Sequence, residues 1–171
     1  MYSERLELIP LNSTQLKLYL EQPDRLELEL NMPVSRSIVT DRVRRAIRTK
    51  LARMEKLDGT KRLWLTYWLL VVRDIHFGAG LVGFKGPPSQ NGEVEIGYGI
   101  DADYQRQGYM TEAVKRMMNW AFEEKACKSI VAIAVLKSNI ASQRVLEKVG
   151  MTVYEESEEF LSYRIHREDM M

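Results

Sequence analysis

The sequence predicts an α/β protein built on a mixed, mostly antiparallel central sheet with helices on both faces. Three observations carry this. Strand-like runs at 63–73, 79–85 and 93–100 follow one another with short turns between them, which suits an antiparallel meander. A strongly periodic helical segment then separates the run ending at Ile100 from a second apolar run, 130–136. Such a strand, helix, strand unit makes a parallel pair with a right-handed crossover. Two short strand-like runs close the chain as a hairpin.

Taken in order, residues 5–10 alternate polar and apolar side chains and stop at Pro10, as a first strand does. Leu16, Tyr19 and Leu20 fall at helical spacing ahead of Pro23. Val43, Ile47, Leu51 and Met54 recur on one face of an amphipathic helix over 41–56, closed by Asp58 and Gly59. The opposite face carries Arg42, Arg44, Arg45, Arg48, Lys50 and Arg53. A charge run of this kind is ordinarily a solvated face, with RNA, a ribosome or an acidic substrate as the alternative. Within 63–73, strand alternation sets Trp64 and Trp68 on one face and Tyr67 on the other. Met110, Ala113, Val114, Met117, Met118, Ala121 and Phe122 form the most regular helical stripe in the chain. The run 130–136 is apolar at nearly every position, which predicts a central strand buried on both faces. A helix over 139–149 stops at Gly150, and strands at 151–155 and 159–165 finish the chain.

Composition limits the function classes. A chain of 171 residues with 45% hydrophobic and 29% charged residues has the make-up of one folded domain, expected to span 1–171. The formal net charge of +1 gives no overall field for a polyanion, and no recognisable RNA module is present, which argues against a nucleic-acid partner. One cysteine, Cys127, and two histidines, His76 and His166, offer neither a disulfide framework nor zinc-ligand spacing, so no metal is expected. Cys127 reads as a packing residue near a helix end. No apolar leader opens the sequence, and the longest apolar stretch falls short of the ~20 residues that cross a bilayer. A reduced, cytoplasmic protein without a membrane partner is the expectation.

The chemistry concentrates in the segment joining Ile100 to the striped helix. Gln105, Arg106, Gln107, Gly108, Tyr109 and Met110 lead into the first helical turn, where backbone amides lack internal partners and sit at the positive end of the helix dipole. Such a junction binds phosphate or pyrophosphate, with Gly108 letting the backbone approach and Arg106 adding charge. It lacks the Gly-Lys-Ser/Thr of nucleotidase loops and the spacing of dinucleotide loops.

Gln105-x-x-Gly108-x-Met110, followed by Thr111-Glu112-Ala113, resembles the acetyl-CoA pyrophosphate loop of the GNAT superfamily of N-acetyltransferases, whose pattern is Gln/Arg-x-x-Gly-x-Gly/Ala. Glu95-Ile96-Gly97-Tyr98 upstream resembles the flanking block of the subgroup that includes ribosomal-protein N-terminal acetyltransferases. So does Asn139-x-x-Ser142-x-x-Val145-Leu146-Glu147-Lys148-Val149-Gly150-Met151 downstream. The similarity covers residues 79–154. Met110 departs from the pattern, and it is expected to narrow the room beside the cofactor while keeping the amide that binds.

The resemblance implies a GNAT-like acyl-CoA N-acyltransferase fold in which the parallel pair splays apart and the pantetheine arm fills the gap. Backbone groups around Tyr98 and Ile100 would bind the pantetheine amides. The amides from Gln105 to Met110 would hold the pyrophosphate, and Asn139 would bind the arm from the opposite wall. It implies acetyl transfer from acetyl-CoA to a primary amine, a protein N-terminus or a small molecule such as an amino sugar or polyamine, by direct attack in a ternary complex. The alternative is a non-catalytic CoA-binding sensor or interaction module. Attack needs a neutral amine and a proton for the departing thiolate. Glu95 is the candidate base, directly or through water, with Glu93 two residues earlier in reserve; Glu95 as a solvated strand residue or salt-bridge partner is the plainer alternative. Ser142 is the candidate donor to the sulfur, since Leu146 one turn on cannot donate. The acidic cluster Glu155, Glu156, Glu158 and Glu159 lies where relatives bind acceptors and could attract a cationic amine. Oligomeric state stays open, a homodimer being common among relatives.

Overall fold

The computed structural model describes residues 1–57 and 59–170. Seven strands form one sheet: β1 (Leu6–Pro10), β2 (Trp68–Val72), β3 (Phe77–Phe84), β4 (Glu93–Ile100), β5 (Ser129–Leu136), β6 (Thr152–Glu156) and β7 (Phe160–His166). Their order across the sheet is β1-β2-β3-β4-β5-β7-β6, antiparallel throughout except for β4 beside β5. Helices α1 (Ser13–Glu21), α2 (Pro23–Leu30) and α3 (Asp41–Met54) cover one face; α4 (Tyr109–Glu123) and α5 (Ile140–Lys148) cover the other. Alternation along the strands divides the core accordingly. Leu70, Val82, Phe84, Val94 and Ile96 pack towards α4, whereas Leu69, Val71 and Leu81 pack towards α1 to α3. Each fully buried aliphatic or Phe side chain contributes about 1.5–3 kcal/mol relative to an exposed one.

Local chemistry places the elements. Asn12 caps α1 in a reciprocal box with Gln15, and Thr40 caps α3 by accepting from the Val43 amide. The segment leading into β2 passes so close to β3 that a Cβ on Gly83 would stand 2.5 Å from the Thr66 carbonyl oxygen. Only glycine fits there.

Several sequence expectations need correction. Leu63 and Trp64 belong to a 3₁₀ segment, Gly59–Trp64, so the strand starts at Trp68. Trp64 and Trp68 still share the α4 side, because both pack on Trp120 with ring centroids 4.6 and 5.5 Å away. α3 ends at Met54 rather than residue 56, and of its proposed stop only Gly59 can be placed, Asp58 lying outside the described residues. The strand β5 is buried only through Ala132; Ile133 and Leu136 are exposed. Helix α2 carries no clear periodic signal, since Leu26, Leu28 and Leu30 alternate with acids as in a strand. Pro23 at its first turn and left-handed Asn31 (φ 53°) at its end define it instead.

Lys50 does not lie on the solvated face of α3. It is buried, and its Nζ donates to the Leu65 carbonyl at 2.8 Å and to the Phe84 carbonyl, with the Tyr67 ring 4.5 Å away. Burial first, then the charges of Arg53 and Lys85, push its pKa down to about 7, against a smaller opposing effect of Glu95. A neutral amine still carries the two N–H groups these carbonyls need. Because the unfolded chain holds this proton up to the ordinary lysine range, stability rises with pH above about 7. Lys50→Met should remove that rise; denaturant midpoints of both proteins between pH 7 and 10 check it.

Candidate active site

The site begins where the parallel ladder stops. β4 and β5 pair only through Glu93 with Ser129, Val94 with Ile130, and Glu95 with Val131. Beyond them β4 remains paired to β3 as far as Ile100 opposite Gly80, so its other edge turns away from β5. A bulge between Ala132 and Val135, with Ala134 left-handed at φ 54°, bends β5 at this level. Between the strands lies a cleft of about 320 Å³ that passes from one face of the sheet to the other. Ala132 to Leu136 form one wall, Glu95 to Gly99 the other, and Asn139 and Ser142 close one end. An unpaired backbone edge in such a gap suits a ligand that offers amide groups of its own.

At the C-terminal end of β4 the chain turns through Gln105 to Met110 into α4. Arg106 (φ 61°) and Gly108 (φ 81°) are both left-handed, and Gly108 is the N-cap without a side-chain cap. None of the amides from Arg106 to Met110 donates to a protein acceptor among the described residues. Alternating left-handed residues with free amides form an anion-binding concavity at a helix N-terminus. The loop is tied from below. The Gln107 carbonyl accepts from Arg5 Nη1 at 2.9 Å, the same guanidinium lies over Tyr109 with Cζ 4.7 Å from the ring centroid, and its Nε pairs with Glu112 at 2.8 Å. Glu112 also accepts from the Arg5 amide at 2.8 Å and from the Ser3 hydroxyl at 2.7 Å. Burial raises the Glu112 pKa, but these hydrogen bonds outweigh it and hold the carboxyl below its ordinary range. Gln105 makes a long contact to the Ile100 carbonyl, 3.5 Å. The Met110 side chain is buried in the core beside Val114, so it does not narrow the space outside the loop, contrary to expectation.

Tyr98 and Ser142 meet across the cleft. The Tyr98 hydroxyl lies 2.9 Å from Ser142 Oγ and 3.3 Å from the Ser142 carbonyl, to which it can donate. Burial pushes the phenol up to about 12, so it remains protonated at neutral pH. Asn139 caps α5, its Oδ1 accepting from the Ser142 amide at 3.1 Å, which fixes Ser142 in the first turn. Leu146 is fully buried. Sequence reasoning placed Tyr98 for its backbone alone. Its phenol leaves no signal in the sequence beyond a tyrosine on the same strand face as Ile96.

Glu95 lines the cleft, ion-paired with Lys85 at the end of β3. Glu93 does not line it: its carboxylate pairs with Arg164 of β7 at 2.8 Å, at the end of the strand where the ladder is intact. The acidic cluster also lies outside the cleft lining, and Glu156 pairs with Lys137 at 2.6 Å. Arg167 lies near the buried Cys127, but burial outweighs its charge and raises the thiol to about 11, far from a nucleophile. Among the described residues no group of three His, Cys, Asp or Glu side chains could hold a metal ion, and no helix is long and apolar enough to cross a membrane.

Comparison with known proteins agrees with this geometry. The family model described as the acetyltransferase (GNAT) domain matches residues 5–152. The uncharacterized N-acetyltransferase YjdG of Bacillus subtilis is 34% identical over 61% of this chain and 61% of its own length. The uncharacterized N-acetyltransferase YoaA of the same organism is 30% identical over 48% of this chain and 46% of its own. The matches thus span between about half and three fifths of these relatives. Among solved structures, the ribosomal-protein-S5-alanine acetyltransferase of Vibrio fischeri superposes with a TM-score of 0.68 at 19% identity, covering 100% of this chain and 98% of that one. The ribosomal L7/L12 alpha-N-protein acetyltransferase RimL, in complex with coenzyme A, gives 0.64 at 19% identity, covering 96% and 95%. At such identities the structural likeness speaks for the fold alone.

Proposed function

The chain belongs to the GNAT acetyltransferase family, and from that premise we propose that it transfers an acetyl group from acetyl-CoA to a primary amine by direct attack within a ternary complex. The reading rests on one arrangement: Glu95, Tyr98, Asn139 and Ser142 line a single cleft at the point where β4 and β5 part. The anion-binding loop lies at the end of the same strand and suits a pyrophosphate. The exposed apolar side chains Ile133, Leu136 and Ile140 suit the apolar parts of a pantetheine arm, whose amides would pair with the free edge of β4 near Tyr98 and Ile100 and with Asn139. Acetyl-CoA, when bound, supplies the acyl thioester. This chain's own residues then do the rest.

An N–C bond forms as the C–S bond breaks, the amine loses a proton and the thiolate gains one. Glu95 takes the amine's proton, directly or through water, while Lys85 holds its carboxylate in place. Ser142 gives its hydroxyl proton to the sulfur and takes one from Tyr98 behind it; Tyr98, whose burial favours the protonated phenol, recovers a proton from solvent as Glu95 releases the one it took. An α-amine, with a pKa of ~8, is partly neutral at pH 7, so the base contributes less there than for a lysine-like amine.

Glu95→Gln tests this assignment. The variant should lose about tenfold in kcat/KM near pH 6.5, where few amines are neutral, and the deficit should shrink towards pH 9. Thiol release from acetyl-CoA measures it. A deficit that does not change with pH removes Glu95 from the base role.

A further inference from the structure

On the reading that the cleft binds an amine beside acetyl-CoA, we infer that the acceptor carries a carboxylate close to its reacting nitrogen and that Arg42 binds that carboxylate.

The half of the cleft facing α3 has the space for an acceptor. Gly97 and Gly99 form its floor, and a Cβ at either would meet nothing within 4 Å. Ile38, Val43, Ala46 and Leu81 give it small or apolar walls. Its charges are mostly of one sign. Arg42 and Lys85 line it, and Arg53 adjoins it through a 2.7 Å bond from Nη1 to the Lys85 carbonyl. Among the described residues the one acid in the lining is Glu95, and its carboxylate is paired with Lys85. Asp101, just past the end of β4, is engaged by the hydroxyls of Ser35 and Ser37 and by the Asp103 amide, which hold its carboxyl below the ordinary range.

Arg42 is therefore the free cation of this chamber. It makes no ion pair among the described residues, and its charge reaches the Tyr67 phenol, opposing the rise that burial causes there. A planar guanidinium at the rim of an apolar pocket is suited to bidentate pairing with a carboxylate. The same positive surroundings favour the neutral form of an incoming amine, the form that attacks. They repel a polyamine or aminoglycoside, which must bring several positive charges past Arg42. The acidic cluster of 155–159, which might otherwise recruit cations, does not line the chamber.

Two sources offer the same chemistry: a free α-amino acid, or a peptide N-terminus followed by an acidic residue. Initial rates of thiol release at saturating acetyl-CoA separate them. The panel pairs α-amino acids with their carboxamides, and N-terminal tetrapeptides bearing Asp at the second position with the Asn versions, and includes spermidine. The wild-type protein should favour the carboxylate member of one pair set by at least tenfold in kcat/KM, chiefly through KM, and that set names the source. In Arg42→Gln the ratio within the pair should fall to near one, and Arg42→Lys should restore part of it. The ratio is internal to each protein and does not depend on its folded fraction. Equal rates within both pair sets, a preference for spermidine, or a ratio that Arg42→Gln leaves intact overturns the inference while the acetyltransferase reading stands. Absence of thiol release with every amine overturns both.

Discussion

Gly108→Val is expected to raise the KM for acetyl-CoA at least a hundredfold and to weaken its binding, measured by calorimetry, by a similar factor. Gly108 stands at φ 81°, where a β-branched residue is strained by about 1–2 kcal/mol, and its Cβ would lie 3.3 Å from the Arg5 guanidinium. Relieving either problem moves the amides that flank it. A loop that binds through backbone donors has no side chain to compensate, and each 1.4 kcal/mol lost is tenfold in affinity. Gly108→Ala, with less bulk, should show a smaller effect in the same direction. Binding unchanged in a folded Gly108→Val protein would show that the pyrophosphate does not sit on this loop.

Ser142→Ala should lower kcat about a hundredfold with little change in the KM for acetyl-CoA, because in the proposed mechanism it removes the donor to the departing sulfur. Tyr98→Phe should lower kcat less, since Ser142 keeps its own proton. The double variant should be no slower than Ser142→Ala alone, as befits two groups acting in series. The pH profile adds an independent check. Burial places the Tyr98 phenol at about 12, so the acid side of the reaction remains protonated and kcat should show no alkaline fall below about pH 10. A fall centred near pH 8 or 9, or full additivity of the two substitutions, contradicts the relay.

The part of this site that was legible in sequence is the part built from contiguous residues. β4 runs from Glu93 to Ile100 as its alternation and flanking turns indicate, and the loop to α4 follows from a glycine ahead of a regular apolar stripe. What was not legible comes from chain segments brought together by the sheet. Tyr98 and Ser142 are 44 residues apart, and Arg5 and Glu112 are 107 apart; neither pairing leaves a local pattern. The Lys85 and Glu95 pair arises because β3 and β4 are antiparallel neighbours, which turns the plainer reading of Glu95 as a salt-bridge partner into a fact about its surroundings without removing it from the cleft. Burial of Lys50 did have a signal. It falls three residues after Ile47 and four before Met54, within the apolar stripe of α3, but a lysine among five arginines reads as one more surface charge. The exposed half of β5 departs from the sequence expectation for a physical reason: a run apolar at nearly every position indicates a strand with an apolar neighbour on each side, and here the residues from Ile133 to Leu136 border an open cleft instead of protein.

The most direct measurement is acetyl-CoA turnover with simultaneous detection of thiol and product by mass spectrometry, using wild-type protein and primary amines with and without a neighbouring carboxylate. Equimolar release of thiol and N-acetylated amine is the predicted result. Binding of acetyl-CoA without thiol release from any amine would contradict it and mark the chain as a sensor that holds the cofactor without transferring its acetyl group.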